Sequence, residues 1–105
     1  MGEIRFELAS NTGTGSIRGR VWLPAGPVRM AVQLVHGMAE HIARYDGFAK
    51  WLNERGILAV GHDHAGHGES APSPEYLGYF AREQGWQKVV ADLGLVCCYA
   101  KRHCP

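Results

Sequence analysis

The sequence predicts an α/β fold with a mixed, mostly parallel sheet, and three observations support this. Two alternating segments, 3–9 and 17–23, flank a glycine-rich turn, and two short apolar runs, 28–35 and 57–61, come later in the chain. A helical pattern follows each apolar run, as in chains that wind helices onto a sheet. With 46% hydrophobic and 20% charged residues, the composition is that of a globular chain, so we expect one domain rather than disorder.

The first two strands are predicted to form an antiparallel hairpin. Ile4, Phe6 and Leu8 alternate with polar residues, and residues 17–23 alternate again. The turn between them, NTGTG at 11–15, supplies the glycines that tight connections favour. Pro24 ends the second strand.

The middle of the chain is predicted to be a strand–helix–strand unit. The runs Val28–Val35 and Ile57–Gly61 are nearly all apolar, as expected for strands that are buried on both faces. Between them, a helix is predicted over Arg44–Arg55, with Gly56 as its stop signal. Apolar residues recur there at helical spacing: Tyr45, Phe48, Ala49 and Leu52. We therefore expect the two strands to be adjacent and parallel.

A last amphipathic helix is predicted near the C-terminal end. One apolar stripe is formed by Trp86, Val89, Val90, Leu93, Val96 and Cys97. Asp92 falls between these residues and is expected on the polar side of the helix. The aromatic side chains of Phe48, Trp51 and Trp86 are expected in the core, because they stand at helical spacing.

Several classes of protein are disfavoured by charge and composition. The formal net charge is +1 and no basic run occurs, so we expect no nucleic-acid partner. No apolar stretch reaches the ~18 residues of a transmembrane helix. The N-terminus alternates charge and bulk, unlike a signal peptide, which makes the cytoplasm the expected compartment. The three cysteines, Cys97, Cys98 and Cys104, are then expected to be reduced.

Two loops stand where the buried strands are predicted to end. The first is HGMAEH at 36–41, and the second is DHAGHGES at 63–70. In open α/β sheets, ligands bind at the carboxyl ends of the strands, so these loops are the candidate site.

Together the loops resemble a known pair of motifs. With Arg44 and Tyr45, the first is similar to the His-Gly-x-x-Glu-His-x-x-Arg-Tyr signature of monoacylglycerol lipases and lysophospholipases. The second is similar to the Asp-x-x-Gly-His-Gly-x-Ser motif of the same family. This resemblance covers about residues 18–105. It implies the N-terminal part of an α/β-hydrolase fold, a lipid-like ester substrate and no cofactor.

The resemblance also implies roles for individual residues. The backbone N–H of Met38 is the implied oxyanion donor, in a loop that Gly37 allows to turn sharply. Asp63 fixes the turn after the fourth strand, Gly66 and Gly68 supply positive φ, and Glu40 pairs with Arg44. His41 supports the first loop by hydrogen bonding. The full set of implied loop-supporting residues is His36, Gly37, Glu40, His41, Arg44, Asp63, Gly66, His67, Gly68 and Ser70.

The sequence departs from the family in what is missing. The nucleophile motif Gly-x-Ser-x-Gly does not occur around Ser10, Ser16, Ser70 or Ser73. The triad acid and histidine follow the nucleophile in the family, so they are missing too. Residues 1–105 are therefore expected to be a partial domain that lacks the nucleophile strand and the C-terminal half and is inactive alone. In the family's strand order the third strand would then be an exposed edge, so we expect self-association through Met30–Val35.

Two other functions remain open. One is a non-catalytic small α/β protein that serves as a binding or assembly piece. The other, which is weaker, is a metal-dependent hydrolase that uses His62, His64 and His67. Their spacing is close to that of a metallo-hydrolase signature, but Gly66 stands where that signature requires an Asp.

Overall fold

A computed structural model describes residues 2–13, 15–37, 40–74, 77–81 and 83–103, apart from the side chain of His103. Its elements in chain order are β1 (Gly2–Ala9), β2 (Ser16–Leu23), β3 (Met30–Leu34), a 3-10 turn (Ile42–Tyr45), α1 (Asp46–Asn53), β4 (Ile57–His62), a second 3-10 turn (Gly68–Ser70) and α2 (Gly85–His103). Within these residues, no helix is long and apolar enough to cross a bilayer.

The strands form one mixed sheet in the order β1-β2-β4-β3. β1 and β2 make the predicted hairpin, with Gly2 opposite Leu23 and Ala9 opposite Ser16. β4 lies between β2 and β3, antiparallel to the first and parallel to the second. The adjacent parallel pair and the mixed sheet are thus confirmed, although among the described strands the parallel part is limited to β3 and β4.

Each face of the sheet carries one helix. On one face Val96 of α2 packs with Val21 and Val60, and on the other Leu52 of α1 packs with Trp22 and Ala59. Adjacent strand residues point to opposite faces, so Val21 and Trp22 belong to different core clusters. The result is a three-layer arrangement with the sheet in the middle.

Two elements are shorter than predicted. β3 begins at Met30 rather than Val28, and the Arg29 N–H donates to the Gly56 carbonyl (2.7 Å) just before the strand pairing starts. The helix predicted over Arg44–Arg55 is divided into a 3-10 turn and the α-helix Asp46–Asn53. Gly56 ends this region with φ +77°, as its predicted stop role requires.

The expectation that three aromatic side chains lie in the core is wrong. Phe48, Trp51 and Trp86 are 49%, 48% and 67% exposed. In α1 the contact with the sheet is made by Ala49 and Leu52, so the larger rings lie on the outer side.

The apolar stripe predicted for α2 is divided in two. Val89 and Val96 are buried against the sheet, whereas Val90 is 53% exposed. Asp92, expected on the polar side, is fully buried. Its carboxylate accepts hydrogen bonds from Ser10 Oγ (2.6 Å) and from the Asn11 N–H (2.7 Å), which fastens α2 to the hairpin turn. A buried carboxylate at this position is stable because these donors satisfy it.

Candidate functional site

The two predicted loops meet at the carboxyl ends of β3 and β4, and Asp63 joins them. Asp63 Oδ1 accepts from the Ile42 N–H (2.7 Å), just after the first loop. Its Oδ2 accepts from the Glu69 N–H (3.0 Å), within the second loop. Asp63 is 3% exposed, so these charge-assisted bonds are shielded from water. We call the residues 36–37, 40–42 and 63–70 the loop junction.

Gly68 fits tightly against this carboxylate. Its φ is +47°, and a Cβ atom there would lie 2.5 Å from Asp63 Cγ. Gly66 also has positive φ, +75°. The prediction of positive φ at both glycines is confirmed, and at Gly68 close packing against Asp63 adds a second requirement for glycine.

The Ser70 hydroxyl lies between β2 and β4. It donates to the Asp63 carbonyl (2.7 Å) and accepts from the Arg18 N–H (2.8 Å). Ser70 is 4% exposed, so its hydroxyl extends the ladder between the two strands. A side chain held in this way supports structure and is a poor nucleophile, since it lacks an orienting base.

His36 links the first loop to the second through its ring. Its Nε2 accepts from the His64 N–H (3.0 Å), so the proton is on Nδ1, which donates to the Gly37 carbonyl (2.7 Å). The His64 ring returns the link by donating from Nε2 to the His36 carbonyl (3.1 Å). This reciprocal pair fixes the neutral tautomer of both rings.

His36 and His64 form a cluster of buried histidines with His62 and His67. The His36 ring lies 4.2 Å from that of His64 and 5.2 Å from that of His67, between centroids. Burial lowers the pKa of His36 and of His64, and lowers the pKa of His62 to about 3. The rings of His36, His62 and His64 are therefore neutral at pH 7.

Glu40 holds the first loop closed. Its Oε1 accepts from the Gly37 N–H (2.6 Å), and this bond lowers the pKa of the Glu40 carboxyl. Its Oε2 lies 3.6 Å from Arg44 Nη1, so the predicted pair is present, though its side chains are partly exposed. A Cβ on Gly37 would lie 2.9 Å from Glu40 Oε1, so a larger residue there would displace the end of the Glu40 side chain.

His41 acts differently from the expectation. Its exposed side chain makes no capping hydrogen bond at the 3-10 turn that follows. Its backbone carbonyl accepts instead from the Arg44 N–H (3.2 Å). The loop support at this position is therefore a backbone contact, since the ring is directed to solvent.

Met38, the implied oxyanion donor, lies outside the described residues. Its assignment stays a prediction. Of the other predicted site residues, His36, Asp63, His67 and Ser70 are brought together in the buried part of the loop junction, whereas Arg44 stays at the surface.

The metal hypothesis for His62, His64 and His67 is wrong on geometry. No group of three or more His, Cys, Asp or Glu side chains in the described part of the chain could hold a metal ion. One ring nitrogen each of His64 and His67 faces a backbone carbonyl instead. His64 Nε2 lies at the His36 carbonyl, and His67 Nδ1 lies 3.1 Å from the Ala65 carbonyl.

Two residues of the site were missed by sequence reasoning. Arg20 is only 7% exposed. Its Nη1 lies 3.3 Å from Glu3 Oε1 and its Nη2 lies 3.6 Å from Glu69 Oε1, so Arg20 connects the second loop to the hairpin. The Tyr45 hydroxyl donates to Glu40 Oε1 (3.2 Å). Tyr45 belongs to the quoted motif, so its spacing from Glu40 was an available signal, whereas Arg20 reads as an ordinary strand-surface residue.

Comparison with known proteins identifies the family. The model of the serine aminopeptidase S33 family matches residues 26–105. This chain belongs to the serine aminopeptidase S33 family. It is 41% identical over 51 residues to monoglyceride lipase of Rattus norvegicus, a match over 49% of this chain and 17% of that protein. It is 34% identical over 64 residues to Protein K6 of Vaccinia virus (strain Western Reserve), a match over 61% of this chain and 79% of that protein.

A solved structure extends the S33 assignment to the fold. A thermostable carboxyl esterase from Bacillus coagulans superposes with a TM-score of 0.88 at 25% identity, over all of this chain and 34% of the esterase. The α/β-hydrolase fold and the resemblance to monoglyceride lipases are thereby confirmed. This S33 chain spans about a sixth of the rat lipase and about a third of the esterase.

Proposed function

We propose that these residues are the N-terminal portion of a serine carboxylic-ester hydrolase, to which they contribute the oxyanion-hole loop. The observation that carries the proposal is the loop junction, where Asp63 and the His36–His64 pair fasten two motif loops at the carboxyl ends of β3 and β4. Such a rigid frame suits a backbone N–H that must be aimed at a developing negative charge. The substrate class we propose is a lipid-like monoester such as a monoacylglycerol or a lysophospholipid.

A chimera tests the contribution of the loop. Residues 18–105 would replace the matching segment of rat monoglyceride lipase, and ester hydrolysis would be measured. We expect an active chimera, and Met38→Pro, which removes the N–H, should lower kcat by about a hundredfold or more. Met38→Ala keeps the N–H and is the matched control. Equal activity of the two variants would contradict the oxyanion role.

We also propose that the 105 residues alone do not hydrolyse esters. The sequence lacks the Gly-x-Ser-x-Gly motif, and the Ser70 hydroxyl is occupied by the Asp63 carbonyl and the Arg18 N–H. The purified chain should show no labelling by a fluorophosphonate probe and no hydrolysis of p-nitrophenyl esters above an albumin background. Stoichiometric labelling that disappears in Ser70→Ala would overturn this.

A second candidate is a non-catalytic binding or assembly protein. The observation that favours it is the match to Protein K6, which covers most of that viral protein rather than a small share. For this candidate we propose self-association through Met30–Val35, which starts with a 57% exposed Met30. Sedimentation velocity of the purified chain tests it, and a monomer at all concentrations would contradict it.

We propose the cytoplasm as the compartment. The free thiols of Cys97 and Cys98 support it. Cell fractionation with an antibody to the chain would test this, and recovery from the secreted fraction would contradict it.

A further inference from the structure

Two arginines stand opposite each other in the hairpin. In the register of β1 and β2, Arg5 is paired with Arg20. Like charges that are directly opposite each other in a sheet destabilise it. The side chain of Arg5 is exposed to water, whereas that of Arg20 is buried. Arg20 therefore needs carboxylate partners more than Arg5 does, because its charge is shielded from solvent.

Two carboxylates neutralise this pair, and they come from different parts of the chain. Glu3 Oε1, on β1, lies 3.3 Å from Arg20 Nη1 and 3.8 Å from Arg5 Nη2. Glu69 Oε1, in the second loop, lies 3.6 Å from Arg20 Nη2 and 3.5 Å from Arg5 Nη1. The four side chains form a closed ring of alternating charge, which we call the charge ring. The hairpin supplies one of the carboxylates that its arginines require, and the second loop supplies the other.

The guanidinium of Arg20 depends strongly on Glu69. Its Nε has no hydrogen-bond partner among the described residues, so its charge is balanced through Nη1 and Nη2 alone. The ring of Trp22, with its centroid 5.9 Å from Arg20 Cζ, adds a weaker cation–π contact. Removing one carboxylate would leave a buried charge only half compensated, which is costly. The position of Glu69 is therefore coupled to that of Arg20.

Glu69 transmits this constraint to the first loop through its backbone. The Glu69 N–H donates to Asp63 Oδ2 (3.0 Å), and Asp63 Oδ1 accepts from the Ile42 N–H (2.7 Å). Ile42 directly follows the first loop, 36–41. A path of charged contacts and charge-assisted hydrogen bonds thus runs from Arg20 on the hairpin to the end of the loop that contains Met38.

We propose that Arg20 is a positioning residue for the oxyanion loop. It holds Glu69, and through Glu69 and Asp63 it fixes the end of the loop whose Met38 N–H is the proposed oxyanion donor. An oxyanion donor acts on charge that develops in the transition state, so this constraint should affect kcat rather than substrate binding. The inference rests on the oxyanion role under Proposed function, and it adds a contribution of the hairpin to the reaction.

The first measurement is amide hydrogen exchange of the full 105-residue chain. Arg20→Met removes the charge and keeps a long side chain. It should accelerate exchange of the Glu69 and Ile42 N–H groups by about tenfold or more relative to the amides of β4, which report unfolding of the whole sheet. In a Glu69→Gln background, the same substitution should cause no further acceleration, because Arg20 acts through Glu69.

Arg18→Met is the matched control for this measurement. Arg18 lies on the same strand, two residues before Arg20, and its exposed side chain pairs with Glu7 (Nε–Oε2, 3.5 Å). Its N–H bond to Ser70 Oγ does not involve the side chain and is kept. Exchange at Glu69 and Ile42 should therefore stay unchanged. Equal acceleration in β4 by Arg20→Met would show an effect on overall stability alone and would overturn the positioning role.

The second measurement is the kinetics of the chimera with rat monoglyceride lipase, extended to residues 1–105 so that Glu3 is present. Arg20→Met should lower kcat by about threefold or more at unchanged KM, and Arg18→Met should change neither. If Met38→Pro impairs this chimera but Arg20→Met leaves kcat unchanged, the positioning role is overturned and the oxyanion role stands. If Met38→Pro and Met38→Ala are equally active, the proposed function itself is overturned.

Discussion

The loop junction, at the carboxyl ends of β3 and β4, and the outer side of α2 differ in how far their side chains are satisfied by contacts within the chain. In the loop junction, both carboxylate oxygens of Asp63 and the hydroxyl of Ser70 have protein partners. On the outer side of α2, Trp86 and Val90 are more than half exposed, although Val89 and Val96 of the same helix are buried. The candidate site is therefore closed by hydrogen bonds between segments distant in sequence, whereas apolar side chains on the outer side of α2 are exposed to solvent.

Removing Asp63 should have the largest effect of any single change in the loop junction. Asp63→Ala leaves the Ile42 and Glu69 N–H groups without their acceptors, and we expect a loss of about 4 kcal/mol in the free energy of unfolding. Asp63→Asn keeps one acceptor oxygen and should lose about half as much. Urea denaturation measures both. Equal stability of Asp63→Asn and the unaltered chain would show that the charge is not what joins the loops.

Substitutions at Gly68 and Gly78 distinguish the cost of close packing from the cost of a positive φ. Gly68→Ala should destabilise the chain by about 3 kcal/mol, because φ is +47° and the new Cβ meets Asp63. The matched control is Gly78→Ala, where φ is +80° but nothing lies within 4 Å, with an expected loss of about 1 kcal/mol. Thermal denaturation gives the difference. Equal losses would mean that contact with Asp63 adds nothing.

The buried ring of His62, beside the loop junction, should make the free energy of unfolding fall in acid. Burial lowers the pKa of His62 from 6.5 to about 3, so between these values the unfolded chain binds more protons than the folded one. Stability is then complete above pH 6.5 and is lost as the pH falls. The loss from His62 alone should be roughly 3 kcal/mol by about pH 4.5.

Denaturation at a series of pH values measures this slope. His62→Leu should flatten it, whereas His41→Gln, at an exposed position, should leave it as it is. A slope unchanged by His62→Leu would contradict the role of that ring.

Substitutions at Val89 and Val90 compare the buried side of α2 with its exposed side. Val89→Ala, at a buried position, should cost about 2 kcal/mol of stability. Val90→Ala, at a 53% exposed position, should lower the free energy of unfolding by less than about 0.5 kcal/mol. Chemical denaturation of both at low concentration tests this. A larger loss at Val90 would show that its side chain is packed within the chain rather than exposed.

Sequence patterns were a good guide where structure is local. The hairpin, the β3–β4 pair and the positive φ of Gly66 and Gly68 depend on alternation, turn residues and short spacing. Asp92 was misplaced because helical periodicity assigns a carboxylate to solvent. Its donors lie 81 and 82 residues away in sequence, where no local pattern reveals them.

The prediction that the aromatic residues lie in the core was wrong for a different reason. Periodicity detects that a helix has an apolar arc, but it does not show how much of the arc the neighbouring elements cover. Phe48 and Trp86 belong to arcs that are wider than the contact with the sheet. The two motifs predicted the two loops that meet at the carboxyl ends of β3 and β4, but the reciprocal His36–His64 bonds depend on ring orientation, which only coordinates give.

The central place of β4 constrains how the chain can acquire its structure during synthesis. β2 and β3 are separated in the sheet by a strand that is made after both of them. Until residues 57–62 have left the ribosome, each therefore has an inner edge with unpaired backbone groups. The hairpin turn also lacks its hydrogen bond to Asp92 until that residue, 81 positions after Asn11, has been synthesised. Assembly of this sheet is thus governed by contacts distant in sequence, which makes folding slow and places the period of greatest aggregation risk before β4 is inserted.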